Sequence, residues 1–219
     1  MTNALIIGAS GGIGGALADT LAARGYDTTR LSRSVDGFDI TDPGAVETAL
    51  AGAGPFNVVL IATGRLDGAG APPEKSLRAL TAEAMEDQFR VNALGPALVL
   101  RHLPRLLPRK GPSHAAVLSA RVGSIGDNRL GGWYSYRAAK AALNQFTHSA
   151  AIELARTHKE ACLLALHPGT VATRFTGGFP AHDKLTPEAS AQKLLEVLLS
   201  RTPEQSGTFW DWKGDPVPW

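Results

Sequence analysis

The stretch ALIIGASGGIGGALADTLAARG, residues 4–25, decides the fold. Ala4 to Ile7 is a short apolar run that stops at Gly8, and Ile13 to Ala23 then carries apolar residues at helical spacing until Gly25 ends it. The order is strand, glycine turn, helix. Gly8, Gly12 and Gly14 stand in a G-x-x-x-G-x-G arrangement around Ser10 and Ile13. Glycines there let the backbone turn sharply and approach a pyrophosphate at a helix N-terminus. The spacing is not the G-x-G-x-x-G fingerprint, so a merely tight strand-to-helix connection is the competing reading.

Working outward, strand and helix keep alternating. Asp27 to Ser32 reads as a second strand, Gly37 to Ile40 as a short third, Phe56 to Ala62 as a fourth, Ala115 to Ser119 as a fifth, Ala161 to Leu166 as a sixth and Gly207 to Trp212 as the last. Between them lie a helix starting at Thr41-Asp42-Pro43, a long helical stretch from Thr81 to Pro108 that Pro96 and Pro104 must restart or kink, a helix from Trp133 to Ala155, and one from Pro187 to about Ser200. Phe56 to Ala62 is almost continuously apolar, as a parallel strand covered on both faces is. The alternation predicts a doubly wound, Rossmann-like parallel α/β sheet in a single domain spanning residues 1–219, with ligands at the carboxyl ends of the strands.

Several residues cluster at that predicted edge. The second strand ends in Ser32, Arg33, Ser34 rather than an acid, a cation flanked by hydroxyls that suits a 2′-phosphate and so NADP; an ordinary exposed arginine is the alternative. Asp39, beside Ile40, is placed to accept from an adenine amino group or to shape a local turn. Ala62 and Thr63 lead to Gly64, which permits close backbone approach to a ligand. Tyr136 and Lys140, four residues apart, share one helix face. A phenol of ordinary pKa near 10 needs roughly 4 kcal/mol to fall by about three units. One ammonium about 4 Å away supplies roughly that at an effective dielectric near 20. Asn92, in Val91-Asn92-Ala93-Leu94-Gly95, is a polar residue inside an otherwise apolar helix.

With 219 residues and a net charge of +2, the chain has no nucleic-acid footprint. One cysteine, Cys162, rules out an internal disulfide framework and reads as a core residue, and the six histidines show no metal-ligand spacing. The N-terminus has no basic leader and no apolar run reaches the roughly 20 residues that span a bilayer. The expectation is a cytoplasmic protein.

Taken together, the glycine turn Gly8 to Gly14, Asn92, Tyr136 with Lys140, and the turn Pro168, Gly169, Val171, Thr173 resemble the short-chain dehydrogenase/reductase family over essentially the full length. The phrases GSIGDN, GGWYSYRAAKAALNQ and HPGTV are similar to its small carbonyl-reductase and C-factor-like branch. The resemblance implies an NADP(H)-dependent oxidoreductase acting on a small carbonyl or alcohol. Tyr136 would be the general acid, Lys140 would lower its pKa and hold the nicotinamide ribose, Asn92 would keep a relay water, and Pro168 to Thr173 would bind the carboxamide. It also implies a homodimer or homotetramer through the helix bearing Tyr136.

Three departures stand against that pattern. Ile7 replaces a common Thr, Ile61-Ala62-Thr63-Gly64 replaces Asn-Asn-Ala-Gly, and the serine pair ending the fifth strand is Ser119, Ala120, with alanine in the catalytic slot. The substrate-steadying hydroxyl must then come from Ser119, from Ser124, or from nowhere. A nucleotide-binding sensor of the same fold with little chemistry is therefore the rival reading. Phe175 to Leu185 is the expected lid; Phe175, Phe179 and Trp133 suggest an open apolar pocket or ordinary packing, with no charged residue there to specify a substrate. The C-terminal FWDWKGDPVPW is left to cap its own subunit or reach a neighbour.

Overall fold

In the computed structural model, which describes residues 2–178 and 184–219, six strands form one sheet in the order β2-β1-β3-β4-β5-β6, every neighbouring pair parallel. They are β1 (Asn3–Ile7), β2 (Asp27–Leu31), β3 (Val58–Ile61), β4 (Ser113–Leu118), β5 (Ala161–His167) and β6 (Phe209–Asp211). The helices are α1 (Gly12–Ala23), α2 (Arg33–Asp36), α3 (Pro43–Leu50), α4 (Ala82–Phe89), α5 (Gly95–Leu100), α6 (Leu103–Leu106), α7 (Tyr134–Leu154) and α8 (Pro187–Leu199).

The central strands alternate between two cores. Leu5, Ile7, Val59, Ile61, Ala115, Val117, Leu163 and Ala165 face one side, against α3, α5, α6 and α7. Ala4, Ile6, Val58, Leu60, Ala116, Leu118, Leu164 and Leu166 face the other, against α1 and α8. Both faces are buried, which is why these strands read as unbroken apolar runs. Burying each leucine contributes about 2 kcal/mol, so the three-layer stack fixes the register of the sheet firmly. Cys162 is one such core residue, 1% exposed, and burial pushes its thiol pKa up to about 12.

One expectation is corrected. Gly37 to Ile40 is not a strand. Gly37 takes φ +68 as the left-handed cap of α2, Phe38 N–H donates to Ser32, and Asp39 accepts from Thr41, so the segment spends its polar groups locally. The stretch from Thr81 to Pro108 is restarted at its prolines, as expected. A π-turn at Arg90–Leu94 separates α4 from α5, and Pro96 and Pro104 each sit in the first turn of a new helix, the position a proline tolerates.

The C-terminal segment packs on its own chain. The Trp219 ring stacks on Phe209 at 5.9 Å, and its carbonyl accepts from Gly126 N–H at 2.8 Å. Among the described residues no helix is long and apolar enough to cross a membrane.

Candidate active site

At the carboxyl ends of β1 and β3 the chain runs backbone against backbone. Gly8, at φ +90, lies so close to β3 that a Cβ there would stand 2.9 Å from the Ala62 carbonyl, and one on Gly14 would stand 2.2 Å from the Gly8 oxygen. Only glycine fits either place. Helix α1 starts at Gly11 without a side-chain cap or an acidic residue in its first turn, so its leading N–H groups remain available. Ser10 is exposed beside them and Ile13 is half-buried. Thr63, at the end of β3, keeps a buried hydroxyl with no hydrogen-bond partner.

The second strand delivers Arg33 to the first position of α2, exposed and with no partner among the described residues. Its neighbour Ser32 is not free as expected: its Oγ donates to Asp36 at 3.1 Å. Asp39 takes the local-turn role, one oxygen accepting from Thr41 N–H at 2.9 Å and from its hydroxyl at 2.8 Å. Those bonds, the backbone one foremost, hold its carboxyl below the usual range, with Arg33 and Arg90 adding to the effect. Ile40 is buried against Gly95, where a Cβ would meet its side chain at 2.9 Å.

Tyr136, Lys140 and Asn92 are brought together. Tyr136 and Lys140 lie one turn apart on α7, 5% and 2% exposed, with Nζ 5.9 Å from the phenol ring centroid. A Cβ on Gly64 would sit 3.2 Å from Asn92 Oδ1 and 3.5 Å from Lys140 Nζ, so Gly64 is the point where β3, the π-turn and α7 converge. Asn92 is fully buried and clamps the loop after Gly64: its Oδ1 accepts from Arg65 N–H at 3.1 Å and its Nδ2 donates to the Arg65 carbonyl at 2.8 Å. Gln88, one turn earlier, accepts from the same amide at 2.5 Å.

The expected lowering of the phenol pKa is corrected here. Burial raises Tyr136 above its ordinary value and pulls Lys140 down to about 7. The ammonium is itself desolvated and donates to the Leu118 carbonyl at 2.9 Å, so its field does not outweigh the cost of a buried phenolate.

The two candidate serines differ in their hydrogen bonding. Ser119 donates its proton to Asn144 Oδ1 at 2.6 Å, and both residues are 3% exposed. Its hydroxyl is committed inward, to α7. Ser124, 1% exposed, only accepts, from Asp127 N–H at 3.1 Å. Its proton remains uncommitted. Neither bonds the Tyr136 hydroxyl. Trp133 and Phe175 flank the Tyr136 ring, at 6.2 and 6.0 Å between centroids. Phe179 and the rest of 179–183, the middle of the expected lid, lie outside the described residues.

The turn after β5 is pinned from two sides. Pro168 O accepts from Ser190 at 2.8 Å, Val171 is buried and pairs with Leu185, and Thr173 packs against Gly12, where a Cβ would be 2.6 Å from its methyl. Gly169, at φ +79, lies so close to Trp212 that a Cβ there would stand 2.7 Å from its indole Nε1. The first and last glycine turns therefore touch. Beside the last is a cavity of about 510 Å³ lined by Arg121, His167, Gly169, Thr170, Lys184, Leu185, Asp211, Trp212 and Lys213. It is strongly charged.

Sequence reasoning missed Glu74. Its carboxylate, 7% exposed, accepts from Ser135 N–H at 3.2 Å and from the Ser135 hydroxyl, and its carbonyl accepts from Trp133 N–H. It thus caps α7 two residues before Tyr136, where Trp133, at φ +52, offers no side-chain cap. The two residues are 61 apart, so no local pattern signals the pairing.

The chain matches the family model described as enoyl-(acyl carrier protein) reductase over residues 28–208. It is 32% identical, over all of both chains, to the 1-hydroxy-2-glutathionyl-2-methyl-3-butene dehydrogenase of Rhodococcus sp. (strain AD45). It is 39% identical to the C-signal protein of Myxococcus xanthus over 62% of this chain and 78% of that one. A chain from Burkholderia multivorans described as a short-chain dehydrogenase/reductase with bound NADP superposes with a TM-score of 0.82 at 26% identity, covering 100% of this chain and 99% of the other.

Proposed function

The chain belongs to the short-chain dehydrogenase/reductase family, an oxidoreductase family that uses a nicotinamide cofactor, and on that premise we propose that it is an NADP(H)-dependent reductase of a small carbonyl compound. The observation that carries this reading is the convergence of Asn92 and Lys140 on Gly64, with the Tyr136 ring centroid 5.9 Å from the Lys140 ammonium. The edge suits a dinucleotide: two cradles that a Cβ would fill, an uncapped helix start, and the unpartnered buried hydroxyl of Thr63. Gly8, Ser10, Gly12, Ile13 and Gly14 would hold the pyrophosphate, Arg33 a 2′-phosphate, and Asp39 with Ile40 the adenine. Ala62, Thr63 and Gly64 would form the floor, and Pro168, Gly169, Val171 and Thr173 would take the carboxamide.

Bound NADPH supplies the hydride. Tyr136, kept protonated at neutral pH by burial, gives its proton to the carbonyl oxygen, and Ser124 steadies that oxygen with its uncommitted hydroxyl. Lys140, fixed to the Leu118 carbonyl, holds the ribose, and Asn92 keeps the floor and α7 in register. A homo-oligomer is part of the proposal. Met85 and Phe89, 47% and 42% exposed, border a hollow floored by Ala138 and Ala139 on α7, a surface for a second copy.

Tyr136→Phe is expected to lower carbonyl turnover by about 10³-fold while NADPH affinity holds. Turnover that survives the substitution refutes the role. Titration with both nucleotides checks the cofactor: NADPH should bind more tightly, and Arg33→Ala should erase the difference. A second reading, a nucleotide-binding sensor, is favoured by Ala120 and by the commitment of Ser119 to Asn144. NADPH binding without oxidation across a broad carbonyl panel would select it.

A further inference from the structure

The charged cavity between the ends of β5 and β6 is not explained by cofactor binding or by proton transfer. Its wall begins at Arg121, the residue after Ala120, and continues through Gly169 and Thr170, so it adjoins the turn proposed to take the carboxamide. Among its described lining residues three are cations, Arg121, Lys184 and Lys213, and one is an acid, Asp211. Asp211 is already spent on structure. Its Oδ1 accepts from Lys213 N–H at 2.8 Å and from Asp215 N–H at 3.1 Å, and its Oδ2 lies 3.6 Å from Arg121 Nη1.

The cations are held at the rim in different ways. Arg121 is braced by Asp127 at 2.5 Å, Lys184 donates to the Thr176 carbonyl at 2.7 Å, and the Lys213 ammonium rests over the Trp212 ring, 5.2 Å from its centroid. An ammonium over an aromatic face keeps donors free for an incoming acceptor. His167 also lines the cavity, its Nδ1 buried and without a hydrogen-bond partner. Burial drops its pKa to about 4, so the ring adds no charge at neutral pH. The Lys213 ammonium over the indole wall, with the His167 ring also lining the cavity, suits one kind of group: an anion attached to an apolar body.

We propose that this cavity is a substrate subsite for a carboxylate, so that the carbonyl compounds reduced here carry a carboxylate group remote from the reacting carbon. The proposal rests on the reductase reading and deepens it by naming a substrate class. The test compares 4-formylbenzoate with its methyl ester, following NADPH oxidation at low ionic strength. The acid should exceed the ester in kcat/KM by about ten-fold, the difference lying in KM. Lys213→Met should bring that ratio close to one, and high salt should shrink it in the unsubstituted protein.

A ratio of one or below, or a ratio that Lys213→Met leaves unchanged, overturns the subsite while the reductase reading stands. If neither aldehyde is reduced, binding decides: the NADP-saturated protein is titrated with benzoate and with benzamide, following tryptophan fluorescence against a Trp212→Phe control. Saturable benzoate binding, weakened at least five-fold by Lys213→Met and not shared by benzamide, upholds the carboxylate subsite, and the reductase reading is then decided separately by the broad carbonyl panel. Absence of saturable benzoate binding overturns the subsite.

Discussion

Around the carboxyl ends of β1 and β3 the chain packs backbone on backbone, whereas around those of β4, β5 and β6 it packs side chain on side chain. Gly8 and Gly14 leave room for nothing larger, being pressed on main-chain atoms, and Gly64 lies close to the ends of Asn92 and Lys140. The other half is assembled from Ser119 on Asn144, Arg121 on Asp127 and Asp211, and Gly169 on Trp212. A half built on backbone tolerates no change, because main-chain atoms cannot step aside. A half built on side chains responds in degrees, and so can be retuned for a different substrate.

The sharpest way to break this contrast is Gly14→Ala. Its Cβ would stand 2.2 Å from the Gly8 oxygen, so a loss of at least about 3 kcal/mol in urea denaturation, or failure to fold, is expected. A mild effect would show that the first half also yields. Next in size is the pH dependence of stability. Burial holds folded Lys140 near pKa 7, against about 10.4 when unfolded, so the unfolded chain binds more protons between those values. Stability should therefore rise by a few kcal/mol from pH 7 toward 10, until Tyr136, whose pKa is raised, reverses the trend. Lys140→Met should flatten the rise.

Glu74→Gln comes third, at about 2 kcal/mol, because it replaces charge-assisted bonds at the start of α7 by neutral ones. Its kcat should fall more than its NADPH affinity, since Tyr136 lies in the first turn of that helix. The smallest expected effect is that of Ser119→Ala: roughly 1 kcal/mol of stability from the lost bond to Asn144, with kcat held within two-fold. A hundred-fold loss of kcat would return Ser119 to the reaction.

The same contrast explains what could be read from the sequence. Gly8, Gly12, Gly14 and Gly64 are legible because a glycine at a strand end states its own reason, and Tyr136 with Lys140 is legible because helical spacing alone makes them neighbours. The sheet followed from apolar runs, apart from Gly37 to Ile40, where a left-handed glycine and an Asp-to-Thr bond overrode a strand-like stretch. Glu74 on Ser135 and Arg121 on Asp211 join residues 61 and 90 positions apart, and neither partner's surroundings announce the other. The burial that raises Tyr136 was equally hidden, since a spacing argument supplies the lysine but not the loss of water around both groups.

The π-turn at Arg90–Leu94 settles a matter of angular phase. Ala84, Gln88, Asn92, Pro96 and Leu100 recur every four residues and are all buried. On a regular α-helix a repeat of four gains about 40° each time, so Leu100 would end about 160° around the axis from Ala84. A turn holding one extra residue takes back about 100° of that drift. The helix can then keep one flank on the protein interior along its whole length, and the residue at the centre of that corrected flank is Asn92.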